Sequence, residues 1–120
     1  MKFCFSTRFV KAKSFLDLCN ITSEYGFDGF EFFDAKTDDF IDGIFNPQNN
    51  ANANRKLVNR HIGVSAVNIP TLITPNTDPM LVKEYVDYAV DCHSENVVVS
   101  ILDIYDVKDM ISVFTPALDE

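Results

Sequence analysis

Ser23-Glu-Tyr-Gly-Phe-Asp-Gly-Phe-Glu-Phe-Phe33 holds a helix end, a stop and the start of a buried strand within eleven residues. Gly26 stands where a helix C-terminus favours the left-handed conformation, which a residue without Cβ adopts without strain. Asp28-Gly29 then leads into Phe30 to Phe33, an apolar run broken only by Glu31. An acid inside a strand that otherwise reads as buried is costly unless it is paired or binds something. Glu31 is therefore the first candidate for a site.

Strand-like and helix-like segments alternate four times along the chain. The first strand is expected over Lys2 to Thr7. Its helix is expected over Lys11 to Tyr25, with Phe15, Leu18, Cys19, Thr22 and Tyr25 at helical spacing. The second strand spans Gly29 to Phe33. Residues 34–54, rich in Asp, Asn and Gly, read as a long loop that turns into a short helix ending near His61. A third strand, Gly63 to Ile69, is expected to stop at Pro70. Asp78 suits an N-cap and Pro79 the first position of a helix running to His93. The run Val97-Val-Val-Ser-Ile-Leu102 lies in a fourth strand, Asn96 to Leu102, and reads as covered on both faces. Asp106 caps a last helix with Val107, Met110, Ile111 and Phe114 on its apolar side, and Pro116 ends or bends it.

This alternation predicts an α/β fold with a parallel sheet and right-handed crossovers. Two architectures fit: an open doubly wound sheet, or part of a (β/α)8 barrel. Ser6-Thr7-Arg8-Phe9, after the first strand, carries no glycine, which argues against a dinucleotide-binding loop.

With 120 residues the chain supports one domain, residues 1–120, and one core. Its 47% hydrophobic and 23% charged content is that of a globular protein. The net charge of −8 argues against nucleic acid or an anionic membrane surface as a partner. No apolar run approaches the roughly 18 residues that span a bilayer, and the N-terminal residues lack a secretory pattern, so the expected location is cytoplasmic. Cys4, Cys19 and Cys92 have no CxxC spacing and are expected to be reduced, buried and apolar in role.

Phe3-Cys-Phe-Ser-Thr7, a helix, and then Tyr25-Gly-Phe-Asp-Gly-Phe-Glu-Phe32 resemble the opening of the xylose isomerase-like TIM-barrel superfamily. That group includes sugar phosphate isomerases/epimerases, ketose 3-epimerases and an endonuclease branch. Arg60-His-Ile-Gly-Val64, Val82-Lys-Glu-Tyr-Val-Asp-Tyr-Ala89 and Val97-Val-Val99 agree with its pattern. The resemblance implies four βα units, the N-terminal half of a barrel of about 250 residues. It implies a small sugar or sugar phosphate as substrate and a divalent metal in a complete member. The metal-binding carboxylates and histidine of the sugar-isomerising branch come from the fifth strand onward, so this chain alone is expected to hold no metal tightly. The endonuclease branch needs histidines at early strand ends; Asn68, Ser100 and Asp103 stand there instead.

In a barrel the functional face is where the strands end. Ser6, Thr7 and Arg8 follow the first strand; Phe33, Asp34 and Lys36 follow the second. The expected substrate-binding residues are Arg8, Glu31, Phe33, Asn68 and Asp103, with no catalytic residue assignable. Arg8 offers a planar fork for phosphate or carboxylate, or is a surface arginine. Glu31 either meets a sugar hydroxyl or positions a base, or it pairs with a basic residue such as Lys2 or with neighbouring donors in the barrel floor. Phe33 either walls a sugar ring or packs in the core. Asp34, Asp38, Asp39 and Asp42 lack the pattern of a calcium loop and read as a solvated loop. His61 and His93 sit at helix C-termini, away from the strand ends. The first and fourth strands would be open edges, so a homodimer or a C-terminal half is expected to complete the sheet.

Overall fold

In the computed structural model, which describes residues 1–102 and 104–118, four strands alternate with four α-helices. They are β1 (Cys4–Ser6), α1 (Phe15–Glu24), β2 (Gly29–Phe32), α2 (Asn50–Asn59), β3 (Gly63–Ile73), α3 (Pro79–Asp91), β4 (Val97–Ile101) and α4 (Ile111–Leu118). Neighbouring strands are all parallel, in the order β1-β2-β3-β4. Right-handed crossovers in a sequential order put every helix on one face of the sheet. A doubly wound sheet needs the order to reverse, and here it does not.

Side-chain alternation separates the two faces. Phe30, Phe32, Val64, Val67, Ile69 and Ile73 join Phe15, Leu18, Leu57, Val82, Tyr85 and Val113 in one buried cluster. Aromatic rings 4.8 to 5.0 Å apart run from Phe30 through Phe32 and Phe45 to Tyr88 and tie β2 to α3. Ser6, Glu31, Ala66, Asn68, Val98 and Ser100 lie on the other face, which carries no helix among the described residues. Parallel sheets are ordinarily covered on both sides. A trough of about 660 Å³ crosses the N-terminal ends of all four strands, lined by Lys2, Cys4, Asp28, Ser65, His93 and Glu95 among others.

Several boundaries differ from expectation for local reasons. Helix α1 begins at Phe15, not Lys11, because Ser14 Oγ accepts the Asp17 N–H at 3.0 Å and fixes the start. Asp42 reinforces it from the distant loop, accepting the Phe15 and Leu16 N–H groups at 2.8 and 3.0 Å. Strand β3 continues past Pro70 to Ile73. Its pairing with β4 is irregular between Asn68 and Leu72, so the missing proline donor falls where the ladder is already interrupted. Strand β4 alternates half-buried and exposed residues, contrary to the two-sided burial expected of its valine run, because it is an edge strand with one bare face. Pro116 lies within α4 near its end rather than stopping it. Cys4 is exposed at the β1 edge, while Cys19 and Cys92 are buried as expected.

The three α-to-β junctions share one device. Gly26, His61 and His93 follow α1, α2 and α3 with φ of 75°, 56° and 57°. In each case the next N–H reaches back to the helix, as in Phe27 to Thr22, Ile62 to Leu57 and Ser94 to Ala89 at 2.9 to 3.0 Å. These ends lie at the strand N-termini, so the two histidines are away from the strand ends, as expected.

Asp42 gives a stability prediction. Burial raises its carboxyl pKa, but the Phe15 and Leu16 donors outweigh burial and hold it below the usual carboxylate range. Asp42→Ala should cost about 1–2 kcal/mol, seen as a lower urea midpoint at neutral pH. A lowered folded pKa contributes stability above the unfolded value and loses it as pH falls. The gap between wild type and variant should therefore close in acid.

Candidate functional site

At the C-terminal ends of β1 and β2 lies a cleft of about 250 Å³ lined by Thr7, Arg8, Val10, Phe33, Asp34, Thr37 and Asp38. Ser6 ends β1 and its side chain accepts the Arg8 N–H at 3.3 Å, folding residues 7–9 into one tight turn. That turn lifts Arg8 out of the strand line and over the Phe33 ring. The guanidinium carbon is 4.9 Å from the Phe33 centroid and 5.1 Å from the Phe9 centroid. Two aromatic faces thus hold one exposed cation, leaving the edge of its planar fork for an anion.

Thr7 is the anchor beneath it, only 5% exposed. Its hydroxyl donates to Asp38 Oδ2 at 2.6 Å and accepts the Phe33 N–H at 2.9 Å. One side chain therefore ties the end of β1, the end of β2 and the following loop. Burial pushes the Asp38 carboxyl above its usual range, against the opposing pull of the Thr7 hydroxyl. Asp34 is held as firmly. Its carboxylate accepts the Tyr85 hydroxyl at 3.2 Å, the Thr37 hydroxyl at 3.0 Å and the Lys36 N–H at 3.1 Å. Burial, then the Asp34 charge, pushes the Tyr85 hydroxyl well above the usual phenol range. Lys36 pairs with Glu84 at 3.2 Å, and Glu84 accepts the Tyr88 hydroxyl at 3.0 Å, which burial and that bond push up to about 12.

The acids of residues 34–42 are thus not a solvated cluster. Asp34, Asp38 and Asp42 each receive defined donors, and together they fold the loop against α1 and α3. Sequence spacing hid this because the donors come from up to 51 residues away.

The expected site residues separate into three groups. Arg8 and Phe33 come together, as the strand-end reading requires. Asn68 and Glu31 share the bare face, Glu31 in register with Ser6 on β1 and Ala66 on β3. Asn68 Oδ1 is buried and accepts no hydrogen bond among the described residues. Lys2 and Glu31 are not joined by an ion pair among the described residues, so the anticipated structural pairing is not formed. Asp103 lies outside the described residues. Thr7 and Tyr85 frame the site without having been singled out as ligand contacts; a polar residue directly at a strand end was the available signal for Thr7.

The donors at this mouth do not suit a divalent cation. They are a guanidinium, a phenyl ring and two threonine hydroxyls, and the carboxylates of Asp34 and Asp38 already accept protein donors. Among the described residues no group of three or more His, Cys, Asp or Glu is arranged to hold a metal. Cys19 offers no nucleophile: burial raises its thiol, more than the nearby Arg60 guanidinium lowers it. No helix among the described residues is long and apolar enough to cross a membrane. Compared with protein-family models, curated proteins and solved structures, the chain matches none.

Proposed function

We propose that the chain forms four βα units, half of a (β/α)8 barrel of the sugar phosphate isomerase/epimerase type. In this reading the Arg8–Phe33 cleft receives the anionic group of a small sugar phosphate. The sequential parallel order and the one-sided helix layer support the barrel. The observation that carries the functional part is the Arg8 guanidinium, held 4.9 Å from Phe33 at the C-terminal ends of the strands. Arg8 grips the phosphate through its fork, and Asn68, with its free Oδ1, accepts from a sugar hydroxyl on the bare face. Glu31 stands on the same face as a second acceptor. In a complete barrel, by resemblance, a divalent metal on later strands would polarise adjacent sugar oxygens while acids and bases move a proton.

A second reading has its own support. The two acids that line the cleft with Arg8, Asp34 and Asp38, are engaged by Tyr85, Thr37 and Thr7. The cleft then presents a cation and aromatic walls but no free base, as in a non-catalytic module that binds a small polar ligand. Both readings place the anion on Arg8. Calorimetry with a hexose phosphate and with inorganic phosphate tests that shared point. Arg8→Ala should weaken binding by roughly tenfold or more, the loss of a charged hydrogen bond, and Arg8→Lys should recover only part of it. Equal affinity in all three proteins would refute the assignment.

A further inference from the structure

We propose that the bare face and both open sheet edges are covered by a second copy of this chain, β4 of each copy pairing in parallel with β1 of the other to close a two-fold 4+4 barrel. This rests on the barrel reading of the sheet, and three observations carry it.

The first is edge geometry. The Phe3 carbonyl accepts the Asp28 N–H at 2.8 Å, so Phe3 faces β2 and, by alternation, the backbone groups of Cys4 and Ser6 face outward. The Asn96 carbonyl accepts the Val67 N–H at 3.0 Å, so the groups of Val97, Val99 and Ile101 face outward on the opposite side of the sheet. One edge is a left edge and the other a right edge of a parallel sheet. A two-fold axis along the strand direction superposes both pairs of edges at once and preserves strand polarity.

The second is charge. The chain is acidic overall, yet residues 1–16 contain Lys2, Arg8, Lys11 and Lys13 and no acid. Residues 91–109 contain Asp91, Glu95, Asp103, Asp106 and Asp109 against Lys108 alone. The basic segment carries the β1 edge and the acidic segment carries the β4 edge, so pairing between copies brings opposite charges together. Lys2 stands two residues before β1 and Glu95 two residues before β4, each just ahead of its edge strand.

The third is the shape and content of the face. The trough of about 660 Å³ takes lining residues from β1 and β3 and from Asp28 and Asn96, just ahead of β2 and β4, so the sheet is hollowed at its N-terminal end. Above it the face carries Ser6, Glu31, Asn68 and Ser100, with Ala66 and Val98, a set suited to a polar lumen and not to an apolar docking surface. Closing the barrel brings a second Arg8 and Phe33 to the same mouth, so the partner completes the ligand site.

Sedimentation of the 120-residue chain from micromolar to near-millimolar concentration tests this. The expected result is a reversible monomer–dimer equilibrium. Cys4→Pro removes only an outward-facing donor at an exposed edge residue, so it should leave the β1–β2 ladder intact and weaken dimerisation at least tenfold. The double variant Lys11→Glu/Lys13→Glu alters two exposed side chains and should weaken it roughly three- to tenfold at low salt. Hydrogen exchange on the unaltered protein provides the control for folding. The Val97, Val99 and Ile101 amides should gain protection with concentration. A monomer at every concentration, or a dimer that both variants leave unchanged with these amides unprotected, overturns the proposal. Phosphate titration on the same samples keeps the two readings apart: Arg8-dependent binding by a strict monomer overturns the pairing and leaves the cleft assignment standing.

Discussion

Gly29→Ala is expected to destabilise the protein by about 3 kcal/mol or more, or to prevent folding, and urea denaturation reads this directly. A Cβ at Gly29 would lie 2.0 Å from the Gly63 carbonyl oxygen and 2.9 Å from its carbon. Both are backbone atoms at the start of the β2–β3 ladder, where Gly29 pairs in register with Gly63. Backbone cannot rotate aside as a side chain can, so the strands must separate at the sheet centre. Two glycines opposite each other let β2 and β3 begin close together, just before the pairing shifts between Phe30 and Glu31. Gly26→Ala is the contrasting case: no atom lies within 4 Å of the added Cβ, and only the positive φ is penalised.

The second large effect is expected at Thr7→Val, a near-isosteric change that removes one hydroxyl. Phe33 N–H loses its acceptor and Asp38 loses its donor, both at partly buried positions. Leaving such groups unsatisfied costs about 2–3 kcal/mol in total. The consequence extends to the cleft. Phe33 is no longer pinned to the end of β1, so Arg8 loses a fixed aromatic face and anion affinity should fall together with stability. Thermal unfolding and phosphate calorimetry on one sample separate the two effects. A variant with unaltered midpoint and affinity would show that the Thr7 hydroxyl holds nothing together.

Local chemistry made much of the fold legible in the sequence. Gly26 as a left-handed helix end, Asp78-Pro79 as a helix start and the strand–helix alternation all depend on neighbouring residues only. What escaped depended on distant partners. The start of α1 is set by Ser14 and by Asp42, 27 residues away from Phe15. Pro70 reads as a strand stop unless the irregular register opposite β4 is known. The Val97 to Ile101 run reads as doubly buried because composition cannot reveal that one face of the sheet is bare. For the site, Arg8 and Phe33 were reachable from the strand-end rule. Their stacking was not, since it follows from the Ser6–Arg8 turn. Glu31 reads in sequence as a buried acid needing a partner. In the fold it is half-buried on an uncovered face, and that bare face removes most of the need for one.

We propose the strand C-terminal mouth, and not the trough at the opposite end, as the site that binds a small anionic sugar. Two-dimensional NMR of the labelled chain during titration with a hexose phosphate tests it most directly. Saturable shifts are expected at Thr7, Arg8, Phe33 and Asn68, with the Arg8 Nε–H moving most, and little change at Lys2, His61 and His93. Shifts concentrated at Lys2, His61 and His93, or none at millimolar ligand, would contradict it.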